Sequence, residues 1–449
     1  AMVETISSVN RLGMVQTTAR FAPIYEAQKD RASVAGTVLL AIATIAAIGI
    51  AIVAILVGFR GMLTNTFVED AALINIMVIL IALAPLDAFD NLLGALFATF
   101  DKPRIIFLRK YVIGPLLKLA AISVTILASG DLDTLAIGYV FAGIVSFSVY
   151  AVLLPRLLRE QELTHYFRPG RFSVDYRRLY RFSLPVFAAD SIDLVRLVLV
   201  IAILEYFHDL SSVADYRAVI PIANLNSLAL VIFSMLFLPM ASRLFAEKNM
   251  TLLGEVRSQV GLWITVLSFP IFAMCIILAE PIIVLLLGER YATSATVLTI
   301  LAAGHFFKAA LGLHRLSLRA MGYVRALLYF EVITTVTVVI AALLVVPKYS
   351  AIGGAAVFAG TMVFNCFLNT VMLWRVTEKN PLPWHYSRVF LLALLCALGL
   401  WIVQPLLDVN SILISIVLVG LASLIVLISC WKLLRIEEVF PEAARFFNR

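Results

Sequence analysis

Charge is what this sequence has least of: Asp, Glu, Lys and Arg together make up 14% of its 449 residues. An ordinary soluble domain carries about 25%. The four cysteines, Cys275, Cys366, Cys396 and Cys430, all lie in apolar segments. They show neither disulfide-framework nor metal-ligand spacing and read as small buried hydrophobes. No Gly-rich phosphate loop and no Ser/His/Asp arrangement on a polar segment is present. The first 30 residues lack a basic stretch followed by an apolar core, so they do not read as a secretory leader. Segments between the apolar runs are too short for a folded catalytic domain, and together these absences exclude a soluble enzyme. The excess of Lys and Arg does not form a nucleic-acid patch, so no nucleic-acid partner is expected.

What the chain has instead is apolar sequence, at 62% of residues. Long runs recur at 35–59, 73–99, 105–128, 134–155, 182–206, 216–241, 258–287, 292–318, 326–347, 350–374, 387–405 and 411–431. About 20 helical residues cross a bilayer core. The predicted fold class is therefore an all-α polytopic membrane protein, with the lipid bilayer as its solvent. Lys and Arg gather on alternate links, whereas the other side receives only Arg60, Arg217, Arg290 and Lys348. This asymmetry assigns the basic side and the C-terminus to the cytoplasm of a multi-pass protein of the cell (inner) membrane.

Two weak internal matches point to a duplication. ARFAPIYEAQKD from Ala19 resembles LPMASRLFAEKN from Leu238, and FDKPRIIFLRKYV from Phe100 resembles MGYVRALLYFEVI from Met321. The offsets are nearly equal, as expected for pseudo-symmetric lobes. The predicted organisation is an N-lobe over 1–157, a cytoplasmic linker with an interfacial helix over 158–180, a C-lobe over 181–376, two extra helices over 385–434 and a cytoplasmic tail over 435–449. The offset makes residues 1–25 a weakly hydrophobic second helix. It leaves the first helix of the N-lobe outside this chain, for about thirteen helices of an original fourteen.

Ionisable residues inside apolar runs are candidates for function, because burying them is costly. His305, Lys308, Gly312, Arg315 and Arg319 follow one another at alternating three- and four-residue spacings, along one helical face. Lys308, Arg315 and His305 are candidate substrate-facing groups, with Arg319 a topology anchor. Asp87, Asp90 and Asn91 share a face after Pro85 and could form a structural polar cluster, a cavity wall or a cation site. Under the repeat, Lys308 falls over Asp87, which predicts a pairing between lobes. Asp193 and Arg196 could neutralise each other one turn apart, or leave Arg196 facing substrate. Lys118 could touch substrate or reach the interface by its long stem.

The run AEPIIVLLLGERYATSATVLTILAAG from Ala279 resembles a segment of polysaccharide flippases in the multidrug/oligosaccharidyl-lipid/polysaccharide exporter superfamily. RFAPIYEAQKD, RFSLPVFAADSIDLVR and VADYRAVIPIANL support the same resemblance in the same order. It implies two six-helix lobes plus two C-terminal helices. It also implies alternating access and transfer of an undecaprenyl-diphosphate-linked oligosaccharide to the outer leaflet, for polysaccharide or lipopolysaccharide synthesis. Lys308, Arg315 and Arg196 would face the diphosphate. Partners would be the lipid-linked sugar, a coupling Na⁺ or H⁺ and the polysaccharide polymerase machinery. No cofactor is implied. A cation-coupled exporter of drugs or organic cations, with Asp87 and Asp90 at its ion site, and a membrane polymerase or ligase of the same pathway are the alternatives.

Overall fold

A computed structural model describes residues 2–58, 83–128, 130–168, 170–404, 412–431 and 433–434. The outer loop from Arg60, the first part of the run 73–99 and the tail 435–449 lie outside the described residues. Among the described residues every regular element is a helix. Among those residues, eight helices are long and apolar enough to cross a membrane. With no water in hydrocarbon to satisfy backbone groups, a lone strand there would leave its N–H and C=O groups unpaired, whereas a helix pairs them internally.

The first elements are α1 (Met2–Arg11), α2 (Met14–Ala27) and α3 (Arg31–Gly58). The single weak helix expected over 1–25 is therefore broken, at Leu12 and Gly13, both with positive φ. Gly13 has φ 71°, and a Cβ there would stand 2.5 Å from the Ser183 carbonyl oxygen. The break needs glycine twice over, for backbone conformation and for close approach. Gly13→Ala is expected to cost about 1–3 kcal/mol, read as a lower thermal midpoint of the purified protein.

Next come α4 (Leu83–Thr99), α5 (Pro103–Phe107), α6 (Gly114–Leu127) and α7 (Leu132–Glu160). A wide π-turn over Leu108–Ile113 joins α5 to α6. Pro115 explains it: proline lacks the N–H that would bond four residues back, and its ring crowds that carbonyl, so the preceding turn widens. α8 (Tyr176–Phe207), α9 (Leu210–Asn224), α10 (Leu228–Ala246), α11 (Met250–Ile277), α12 (Ala279–Leu287) and α13 (Ala295–Met321) follow. Asp209 caps α9 by accepting from the Ser212 amide at 3.2 Å and the Ser212 hydroxyl at 2.8 Å. Those bonds hold its carboxyl below the usual carboxylate range.

The longest element, α14 (Val324–Thr377), is helical on either side of Ser350, whose φ is 49°. Its two limbs, 324–349 and 351–377, answer to the separate runs expected at 326–347 and 350–374. α15 (Trp384–Val403) and α16 (Ile412–Cys430) complete the described chain. Trp384, Trp401 and Trp431 are exposed at or near the ends of these last two helices, the depth at which tryptophan favours a membrane interface.

The chain forms two compact units. Unit 1 comprises Ala1–Ser191, Leu238–Lys248 and Ala320–Arg325; unit 2 comprises Ile192–Phe237, Asn249–Arg319 and Ala326–Arg449. In unit 1, Met14, Ala41, Ile45, Ala88 and Leu92 form a buried apolar cluster joining α2, α3 and α4. The repeated segments of the sequence also meet there. Arg243 pairs with Glu26 at 3.0 Å and Asp101 at 3.1 Å, and donates to the Thr99 carbonyl at 2.9 Å. Arg20 donates to the Ala320 carbonyl at 2.9 Å and stacks between Phe21 and Phe182. The link between α7 and α8 carries a short 3-10 turn, Thr164–Phe167, in place of the interfacial helix expected. It then runs along the start of α3, where the Ser173 amide donates to the Ala32 carbonyl at 3.1 Å.

Unit 2 packs around aromatic rings. Phe272 stacks on Phe306 at 4.6 Å, and Phe306 lies parallel to Phe390 at 6.2 Å, tying α11, α13 and α15 together. Both units expose large apolar side chains, among them Leu116, Ile126 and Val152 in unit 1 and Leu395, Leu413 and Val417 in unit 2. An apolar outer surface is what lipid contact requires.

Candidate functional site: a charge network inside unit 2

Four helical limbs of unit 2 each bring polar side chains to one place. The second half of α8 supplies Asp193 and Arg196, one turn apart. α13 supplies Lys308 and Arg315, two turns apart on the stripe read from the sequence. The first limb of α14 supplies Glu331, Thr334 and Thr335, and its second limb supplies Asn365 and Asn369. In each case the helical period places the polar residues on the face turned into the bundle.

Glu331 is the hub. Its Oε2 pairs with the Arg196 guanidinium and its Oε1 with Arg315 at 3.0 Å. The Asn365 side-chain amide donates to the same Oε1 at 3.3 Å and to the Thr334 hydroxyl at 3.2 Å. Arg196 also pairs with Asp193 at 3.3 Å and donates to the Thr335 hydroxyl at 3.4 Å. Lys308 closes the chain, its Nζ 3.5 Å from the other Asp193 oxygen. The network thus brings three cations, Arg196, Arg315 and Lys308, to two carboxylates, Asp193 and Glu331.

Burial divides it. The side chains of Arg196 and Glu331 are 3% and 2% exposed, whereas Asp193 and Lys308 are 31% and 36% exposed and Arg315 is 18% exposed. One end of the network is sealed in protein and the other is open. Burying a charge costs several kcal/mol unless the partner geometry is good. The sealed end meets that condition through two arginines and an asparagine on one carboxylate.

The remaining sequence candidates lie elsewhere. His305 is buried one turn before Lys308, and its Nδ1 is 3.2 Å from the Ser227 hydroxyl. In unit 1, Asp87 accepts from the Ser7 hydroxyl and from the Asn91 amide at 3.2 Å. Asp90 is buried and pairs with Arg109, whose guanidinium lies over the Tyr150 ring at 5.2 Å. Lys118 is exposed on α6, a helix with no buried residue. Lys308 finds a carboxylate within its own unit, at Asp193. Glu331 and Arg109 were not among the candidates. Glu331 satisfies the rule that singled out Asp193, an ionisable side chain inside an apolar run, and that signal identifies it. Arg109 reads as a cytoplasmic anchor, and nothing in its spacing marks it as the partner of Asp90.

No protein-family model matches this sequence, and no curated protein does. Solved structures do match. A single-site mutant of the Vibrio cholerae MATE transporter VcmN aligns with a TM-score of 0.71 at 13% identity, over 85% of this chain and 88% of that one. A MOP superfamily transporter from Pyrococcus furiosus, described as having a binding pocket of reverse polarity that suggests a different function, aligns with a TM-score of 0.70 at 14% identity. That match covers 84% of this chain and 86% of that one. An outward-facing multidrug resistance MATE family transporter of the MOP superfamily aligns at 0.65 and 14% identity, over 84% and 85%. The chain therefore has the two-lobe helical fold of MATE transporters. At these identities the similarity is one of fold, and it does not single out the polysaccharide flippases that the sequence resembles.

Proposed function

We propose that this chain is a membrane transporter of the MOP superfamily, not an enzyme, and that it works by alternating access on an anionic amphiphile. The class of substrate is a diphosphate-linked sugar on a lipid carrier such as undecaprenol, moved from the cytoplasmic to the outer leaflet of the cell membrane. The observation that carries this reading is Lys308, an ammonium group at the open end of the unit 2 network, with the guanidinium groups of Arg196 and Arg315 held in the same network. Guanidinium and ammonium groups in a weakly polar setting suit phosphate oxygens well. The distribution of Lys and Arg supports a cytoplasmic C-terminus. A polysaccharide polymerase would then take the product at the outer face.

A second reading is a cation-coupled exporter of drugs or organic cations. The comparisons favour it, since the structures matched include MATE transporters and one of these is named a multidrug resistance transporter. Asp90, with Arg109 beside it, would be the Na⁺- or H⁺-responsive carboxylate.

The experiment that separates them uses cells deleted for the gene and complemented with wild type or Lys308→Ala. The expected result is accumulation of lipid-linked sugar in the inner leaflet of the deletion strain, cleared at least tenfold less by Lys308→Ala than by wild type. Normal lipid-linked sugar together with lost drug resistance would replace the first reading with the second.

A further inference from the structure

The two carboxylates of the network hold their cations in different ways. Glu331 is sealed, takes two arginines on separate oxygens and is fixed by Asn365. Asp193 is partly open; one of its oxygens lies 3.3 Å from Arg196 and the other 3.5 Å from Lys308. Those distances exceed the ~2.7–2.9 Å of a tight charge-assisted bond. Asp193 is also a neighbour of Arg196 one turn away on the same helix, so that contact lies within one helix, whereas the contact to Lys308 joins two.

The geometry points to Asp193 as a resident stand-in for the substrate anion. In the empty protein its carboxylate neutralises Lys308 and the outer side of Arg196; an arriving phosphate or diphosphate takes its place. This inference rests on the anionic-substrate reading above. Cations left without a counter-charge in a low-dielectric setting are costly, so an empty anion site needs an internal anion. A diphosphate carries more charge than one carboxylate and can engage guanidinium groups by paired hydrogen bonds. Glu331 keeps Arg196 and Arg315 in place throughout, because its own bonds lie on the sealed side. The stand-in lowers affinity, since each binding event must first displace Asp193, and it makes release easier by taking the cations back.

Pyrophosphate binding to the purified full chain in lipid nanodiscs, measured by calorimetry, tests this. Asp193→Asn is expected to bind pyrophosphate about tenfold more tightly than wild type, about 1.4 kcal/mol. Lys308→Ala is expected to weaken binding at least tenfold in either background. Equal or weaker binding by Asp193→Asn, with Lys308→Ala still weakening wild type, overturns the stand-in and leaves an anionic substrate standing. No effect of Lys308→Ala overturns both. Farnesyl diphosphate forms a second arm: tighter binding than pyrophosphate assigns the group to a lipid carrier, equal binding to a free anion, and either keeps the stand-in.

Wild type provides a readout should Asp193→Asn fold poorly. Labelling of the Asp193 carboxyl by carbodiimide and glycine ethyl ester, followed by mass spectrometry, is expected to rise when pyrophosphate is bound. Unchanged or reduced labelling overturns the inference.

Discussion

Replacing Glu331 with Gln is expected to lower the stability of the protein by about 3–5 kcal/mol, the range found when one partner of a buried ion pair is removed. The amide keeps the shape of the side chain and removes its charge, so the loss cannot be assigned to a cavity. Arg196, 3% exposed, would be left with the half-open Asp193 and the Thr335 hydroxyl, and Arg315 would lose the carboxylate it holds at 3.0 Å. Two guanidinium groups would then face each other without the charge between them. The measurement is the thermal midpoint of the purified protein together with its yield in membranes. Asp193→Asn serves as the internal comparison: that carboxylate is partly solvated, so its loss is expected to cost far less. Equal losses at the two positions would sink the division of the network into sealed and open ends.

Gly36→Ala is expected to destabilise the protein by about 1–3 kcal/mol, as overpacking does. The sign is informative. Gly36 lies inside α3, where alanine is favoured over glycine by up to about 1 kcal/mol, so a purely local effect would stabilise. A methyl group there would be driven into the Ser173 carbonyl, on the link that runs against the start of α3. The Ser173 amide already donates to Ala32, so the link cannot withdraw without breaking that bond. Faster proteolysis near Arg171 in the variant is the accompanying readout. An unchanged or raised thermal midpoint would mean that the link does not hold this position.

Most of the helices are legible as apolar runs, because a bilayer demands length and continuity and leaves few alternatives. The separation of 326–347 from 350–374 can be read from Pro347, Lys348 and Tyr349 ahead of the bend at Ser350. The break at Gly13 is harder to read, since it depends on a close approach by Ser183, far away in sequence. Helical spacing places Asp193, Arg196, Lys308 and Arg315 on particular faces, but it says nothing of what stands opposite. Glu331 joins Arg196 across 135 residues of sequence, and that distance hides the hub. The same limit applies to Asp90 and Arg109, whose pairing depends on how α4 packs beside the π-turn.

The composition of unit 1 also constrains the order in which the chain is made. Two of its ion pairs, to Glu26 and Asp101, use Arg243, and Arg20 donates to the carbonyl of Ala320. During synthesis, Glu26 and Asp101 emerge long before Arg243 exists, and Arg20 waits longer still for Ala320. Unit 1 therefore cannot close as the N-terminal half is delivered, as a simple domain would. Its last staples, Ala320–Arg325, arrive only after about half of unit 2 has been made. The ribosome has to finish much of the second unit before the first can be completed.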